Sequence, residues 1–367
     1  MEAVLAALKR ILGWRRRGAI AAVGAGAALA MVLSACGSSG GSATEGASGS
    51  GLSGRVVWAD FGGTTNKARY TAYFDDFTKD TGVKVASEVE SDSIANTMLS
   101  GGKGAYDAIH VGLDQVYRNK ANIAELDPDV PRDTNLPENI RDHAFGTFSV
   151  GHVQAYLAAT FPNGGPKTWA DFFDVKKYPG KRGWMGSPGS YDSACEMAEL
   201  ASGISVKNLY PLRLDLCTTK LNELRPHMVF YTSYPQIQQL LTSHTAAVVA
   251  GPSGQAYGLL QQGVDVTISW NQAIVSPNVM AIPKQAPDTS NIQALAKVFN
   301  EPQRQAQFAK LTGYGPGNPD AFKHMDARTK ANIVNSPEHK DVVYQDSEAR
   351  AKQDDALLAW YTKWLAG

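Results

Sequence analysis

The sequence predicts an α/β protein built as two lobes, with helices packed against parallel sheets. Three observations carry this expectation. Short apolar runs such as Val56-Val57-Trp58 alternate with stretches of helical periodicity, the pattern of βαβ units. At 367 residues the chain is too long for one ordinary domain. The loops after the expected strands come from both halves of the chain, and open α/β sheets gather ligands at the carboxyl ends of their strands.

Residues 55–58 read as a buried strand and residues 60–65 as the loop after it. Tyr70, Tyr73, Phe74 and Phe77 fall at i, i+3, i+4 and i+7, one face of an amphipathic helix. Gly82 is placed to cap it, and strands follow at 83–86 and 105–111. Thr168 and Asp171 form a capping box that opens a short helix. Residues 181–187 are strand-like, and a helix through Glu196, Met197 and Leu200 closes near Gly203. A helix at 235–243 and strands at 246–250, 264–270 and 279–283 come next. Leu357, Leu358, Tyr361, Trp364 and Leu365 mark a final amphipathic helix. Most of the seven Trp, fourteen Tyr and twelve Phe are expected in the cores.

The first fifty-four residues read differently. Lys9, Arg10, Arg15, Arg16 and Arg17 form a basic segment, and residues 19–32 an apolar run of small side chains. That run has the length of a signal h-region and is short for a membrane span. Leu33-Ser34-Ala35-Cys36 then matches the bacterial lipobox, in which the cysteine becomes the lipidated first mature residue. Residues 1–36 are therefore expected to be a lipoprotein signal peptide, exported by either the general or the twin-arginine route. Residues 37–54 are nearly all Gly, Ser, Ala and Thr, too poor in apolar surface to fold, and read as a flexible tether.

Lys+Arg and Asp+Glu both number 35, which removes any global electrostatic case for nucleic acid as a partner. Cys195 and Cys217 remain in an exported body, where they either bridge or pack as buried thiols. The seven histidines show no i,i+4 pair and no HExxH or CxxC occurs, so no metal site and no cofactor are expected.

Six segments in order, YFDDFTKDTGVKV (73–85), YDAIHV (106–111), TWADFFDVKKYPGKRG (168–183), QIQQLL (236–241), MAIPK (280–284) and YGPGN (314–318), resemble the spermidine/putrescine-type extracellular solute-binding proteins of ABC transporters. The resemblance spans nearly all of residues 55–367. It implies a two-lobed, type II periplasmic-binding-protein fold whose cleft closes over a solute, with the lobes joined by crossings near 148–154 and 271–279. Lobe 1 would comprise 55–152 plus about 277–318, and lobe 2 would comprise 153–276 plus about 319–367. The partners implied are a small solute and the permease and ATPase subunits of an importer. The only membrane contact would be the lipid anchor on the outer face, and the body would act as a monomer.

Polyamine receptors hold ammonium ends with carboxylates and methylene stems with rings, because an ammonium leaving water needs a paired charge or a ring face. The loop after the first strand matches Asp60, Phe61, Gly62 and Gly63 here. Asp60 and Phe61 supply charge and ring, or the glycine N–H groups form an anion nest, or Asp60 is a solvated loop acid. Asp114 stands in the second loop. Ser190, Tyr191 and Asp192 stand in the third, where Ser190 or Asp192 is alternatively a helix cap. Tyr234 and Gln236 are polar candidates of the second lobe. Trp270 either contacts solute or packs at the crossing. Two positions depart from the polyamine pattern: Gly251 replaces a tryptophan and Asn278 replaces an aspartate. A polyamine is thus the first candidate ligand and a small anion, carboxylate or phosphonate, the alternative. GxSxG occurs only within the Gly/Ser tether, at 37–41, and SxxK only at 100–103 with no strand-turn-helix context, which leaves a secreted hydrolase as the weakest reading. The expected arrangement has Asp60, Asp114 and Asp192 facing one cleft.

The lipobox yields the first prediction. Mass spectrometry of the mature protein should find the chain beginning at a diacylated Cys36; an intact unlipidated protein in the medium would contradict it.

Overall fold

The computed structural model describes residues 52–188 and 193–367. The signal peptide, Cys36 and nearly all of the tether lie outside these residues, as do Ser190, Tyr191 and Asp192. No helix among the described residues is long and apolar enough to cross a membrane.

Among the described residues, ten strands form one continuous sheet: β1 (Arg55–Asp60), β2 (Lys84–Val89), β3 (Ala108–Gly112), β4 (Phe145–Leu157), β5 (Arg182–Met185), β6 (Met228–Tyr231), β7 (Val248–Pro252), β8 (Val266–Ala281), β9 (Gly315–Pro316) and β10 (Val343–Tyr344). The path runs β2-β1-β3-β8-β4-β7-β5-β6, with β9 paired to β4 and β10 to β8. The outer triplets are parallel, as βαβ alternation predicts, but β8 and β4 run antiparallel to each other and to their neighbours β3 and β7. The sheet is therefore mixed. The expected separate strands at 264–270 and 279–283 are one strand of 16 residues. The segment between them, with its Pro277 and Asn278, stays extended because β4 and β10 pair with it.

Helices cover both faces of each triplet, as a parallel sheet requires. On one side of the first triplet, Tyr73, Phe74 and Phe77 pack on Trp58, Phe145 and Phe299; on the other, Met98, Ile109, Val116 and Ile123 form a second cluster. The helix carrying the first set runs as Gly63–Arg69, a π-helical stretch Tyr70–Phe74 and Asp75–Thr81, and Gly82 ends it in the left-handed conformation. Only Gly takes that conformation without steric cost. The capping box of Thr168 and Asp171 is present. Around the second triplet, Trp169, Trp184, Met197, Leu221, Leu357, Tyr361 and Trp364 form the larger cluster, and Met185, Tyr231, Ile237 and Leu259 a smaller one. Of the final helix Asp354–Ala366, the residues Leu357, Tyr361 and Trp364 are buried and Leu358 is exposed.

Cys195 and Cys217 are joined in a disulfide with Cα atoms 5.2 Å apart. The bridge ties the helix Ala194–Ala201 to Leu214–Leu224. Both sulfurs are thereby taken from the one cluster of potential metal ligands among the described residues, Cys195, Glu199 and Cys217. Closing a loop between residues 22 apart in sequence constrains the unfolded chain. Its loss, in a Cys195→Ala/Cys217→Ala variant, is expected to lower stability by about 3 kcal/mol. Urea unfolding of parent and variant measures it, and equal midpoints would contradict it.

Candidate functional site

Register fixes where the site lies. β3 runs along β8 from Ile109, opposite Ala281, to Gly112, opposite Asn278. β7 runs along β4 from Val249, opposite Ala155, to Pro252, opposite His152. The carboxyl ends of the two parallel triplets thus converge on the middle of the β4–β8 ribbon, from opposite ends. Within that middle, Phe148, Val150 and His152 oppose Asn278, Ser276 and Ile274. Directly opposed residues project to one face of a sheet. On that face Val150, Ser276 and Asn278 are half-buried between the buried Phe148, His152 and Ile274, and they form the floor of a cleft.

The first wall is built on β1, β2 and β3. Asp60 ends β1 and is fully buried. One carboxylate oxygen accepts from Arg69, and the other from the Gly62 N–H at 2.6 Å. Arg69, also buried, lies 5.3 Å from the Trp58 ring and 5.5 Å from the Phe148 ring. Asp60 is therefore neither the open cation receptor nor the solvated loop acid expected from sequence. It is the counter-ion that lets a guanidinium sit in an apolar core, since an unpaired buried charge is prohibitive. Gly62 and Gly63 both adopt positive φ, 71° and 66°, to turn the chain into its helix. One N–H of the expected anion nest is already spent on Asp60. Phe61 projects outward, 62% exposed, its ring 4.7 Å from His110. His110 is buried, also meets the Phe148 ring at 5.0 Å, and bonds Asn278 Oδ1 through Nε2 at 3.0 Å. Glu90, next after β2, has its carboxyl pushed up to about 8 by burial, with Asp92 and Asp60 adding.

Asp114 opens the helix Leu113–Asn119 after β3. Its carboxylate lies 3.7 Å from the Arg350 guanidinium. Burial pushes the Asp114 carboxyl up; Arg350 opposes this and Asp354 reinforces it. Arg350 also pairs with Glu196, which is fully buried and accepts from Tyr210 Oη at 3.0 Å and Gln345 Nε2 at 3.3 Å. The same Gln345 amide bonds the Ser193 hydroxyl at 3.0 Å.

The second wall lines a small, open pocket bounded by His152, Trp184, Met185, Ser193, Tyr231 and Tyr361, among others. Gly251 belongs to this wall, and a Cβ there would stand 2.6 Å from Ile237 Cδ1 and 2.7 Å from Tyr231 Oη. Tyr231 Oη in turn donates to the Ala250 carbonyl at 2.7 Å. The tryptophan that the polyamine pattern puts here has no room.

Of the twelve expected contacts, Asp60, Phe61, Gly62, Gly63, Asp114 and Asn278 fall on the first wall or its edge. Gln236 instead accepts from the Thr232 N–H at 2.7 Å and ties its own turn, and Tyr234 packs beside Tyr231 and Ile237. Trp270 stacks on His339 at 4.7 Å and packs with Val153 and Val275 at the crossing. Arg69, His110, Phe148, Tyr231, Glu196 and Arg350 also stand at these walls and were not among the expected contacts. His110 had one available signal: alternation within YDAIHV puts it two residues before the strand end, on the face opposite Ile109 and Val111.

Replacing Asp60 tests its role as a counter-ion. Asp60→Asn should lower stability by about 3–5 kcal/mol by leaving Arg69 unpaired, and Asp60→Asn/Arg69→Met should restore much of it. Urea unfolding of both variants checks this. A stable single variant would return Asp60 to the list of ligand contacts.

The model of the family described as bacterial extracellular solute-binding protein matches residues 72–338. A γ-aminobutyric acid-binding protein of Pseudomonas aeruginosa is 26% identical over 318 residues, covering 83% of this chain and 89% of that protein. The putrescine-binding periplasmic protein SpuD of P. aeruginosa is 23% identical over 324 residues, 79% of this chain and 87% of that protein. The solved structure of the Atu4243 γ-aminobutyric acid receptor superposes with a TM-score of 0.76 at 27% identity, covering 85% of this chain and 97% of that one. Two lobes, a cleft at converging strand ends and these likenesses agree: the chain belongs to the bacterial extracellular solute-binding protein family and is the substrate-binding component of an ABC importer for a small solute, not an enzyme.

Proposed function

We propose that the protein is a lipoprotein anchored through Cys36 that captures a small ω-amino acid of the size of γ-aminobutyric acid and presents it, as a monomer, to the permease and ATPase of its importer. The observation that carries this reading is the state of the acids around the cleft. A diamine needs a carboxylate at each end, yet Asp60 is bound to Arg69 and Asp114 faces Arg350. Burial raises the Glu90 carboxyl to about 8, which favours its neutral form. Asn278 offers an amide where polyamine receptors carry an acid, and Gly251 offers no ring. A solute bearing one ammonium and one carboxylate asks for less negative charge than a diamine does. The γ-aminobutyric acid-binding relatives support the same class.

In this reading lobe 1 comprises residues 55–152 and about 277–318, and lobe 2 the remainder of the body. Ser190, Tyr191 and Asp192, expected contacts from the sequence, lie outside the described residues. The polyamine reading keeps the support of the putrescine-binding relative. Isothermal titration calorimetry separates the two. Heat is expected with γ-aminobutyric acid and none with putrescine or spermidine; binding of putrescine alone would reverse the assignment.

A further inference from the structure

His110 carries a hydrogen-bonding group that nothing in the described fold uses. Asn278 Nδ2 donates to the Ser276 carbonyl at 3.2 Å, which turns Oδ1 toward His110. An amide oxygen only accepts, so the imidazole Nε2, 3.0 Å away, carries the proton. Nδ1 then carries the lone pair, and it is buried without a partner. The ring as a whole is 5% exposed. Burial first, and the Arg69 charge second, hold the imidazole well below the usual histidine range, so a proton from water does not fill the vacancy. Buried acceptors are nearly always matched with a donor, and an unmatched one asks what the donor is.

The surroundings narrow the answer. His110 stands two residues before Gly112, where β3 ends at the cleft, and shares its face with the half-buried Asn278 of the floor. The rings of Phe61 and Phe148 lie 4.7 and 5.0 Å from the imidazole centre. Ring faces attract cations within about 6 Å. We propose that His110 is a specificity-determining residue of the cleft: its Nδ1 accepts a hydrogen bond from an N–H of the solute, and the Phe61 ring flanks that end. This deepens the ω-amino acid reading and rests on it. A lone pair in this position pairs with an ammonium and repels a carboxylate, so it orients the solute, amine to the first wall and carboxylate to the second.

Calorimetry with γ-aminobutyric acid, putrescine and butyrate, on the parent, His110→Phe and His110→Ala, tests the proposal, with melting curves to show that each variant folds. The parent should bind γ-aminobutyric acid and not butyrate, and both variants should lose tenfold or more in affinity for it. A folded variant that binds as the parent does overturns the role of His110 while leaving the proposed function standing. Equal binding of butyrate by the parent overturns it too. If the parent prefers putrescine, the ω-amino acid reading fails, but a tenfold loss of putrescine in the variants sustains His110 as an ammonium acceptor, and an unchanged affinity removes it. Should none of the three bind, nitrogen-15 NMR of the parent decides: a neutral ring with its proton on Nε2 supports the assignment, and a proton on Nδ1 overturns it.

Discussion

The antiparallel pairing of β4 with β8 is the constraint on which the rest of the structure depends. Strands of 13 and 16 residues are long enough to leave one lobe and enter the other without breaking their ladder. Every strand that joins the ribbon inherits its direction. Because β3 pairs with one end of β8 and β7 with the opposite end of β4, the two parallel triplets are forced to point their carboxyl ends at each other. Helices that follow parallel strands start at those ends, so loops and helix N-termini from both lobes meet over the same few residues. The ribbon carries register shifts between Phe145 and Phe148 and between His152 and Gln154. Such an irregularity bends a strand and strengthens its local twist, and a crossing that must flex is a natural place for one.

Charge in the cleft follows from that convergence. Strand ends are where polar side chains can reach solvent, yet several here are withdrawn from it. Asp60 and Arg69 form a buried pair whose desolvation offsets much of its attraction, so it adds little to net stability although breaking it is costly. Its effect is to fix the first turn after β1 and to seat a cation beneath Trp58 and Phe148. Glu196 does the same on the other side, gathering Arg350, Gln345 and Tyr210 around one buried carboxylate. Both walls are thus pre-set by internal pairs, which leaves hydrogen-bond geometry, rather than surplus charge, to discriminate among solutes.

The parts of this arrangement that sequence could reveal are those decided locally. The helix face of Tyr73, Phe74 and Phe77, the capping box at Thr168, the left-handed Gly82 and the alternation of strands with helices all depend on residues a few positions apart. The strand ends that gather at the cleft were legible for the same reason. What sequence could not give is pairing at a distance. Asp60 looks like a loop acid until Arg69, on the next helix, is seen turned back toward it. The strand through Pro277 and Asn278 looks interrupted until its partners are known. His110 reads as one more core residue of a strand, and only Asn278, 168 residues away, reveals which of its nitrogens is free to accept.

Contacts that span the two lobes act on closure, not simply on stability. The helix Leu113–Asn119 belongs by its buried Leu113 and Val116 to the first lobe's core. The helices Ser347–Ala351 and Asp354–Ala366 belong to the second, through Leu357, Tyr361 and Trp364. Between them, Arg118 pairs with Asp354 and Asp355, each at 2.5 Å, Gln115 bonds Asp354 at 2.9 Å, and Arg350 faces Asp114. Asp355 is largely solvent-exposed and Arg118 partly so, so their pair is worth little by itself and weakens with salt. Asp354 and Arg350 are buried, and their pairing depends on the lobes staying in register. A solute shifts the lobes only by the difference in its affinity for the two arrangements. These pairs set the equilibrium against which that difference works. In the proposed reading, a solute that bridges the His110 wall and the Ser193 wall adds to the same side of the balance as the Arg118 and Arg350 contacts.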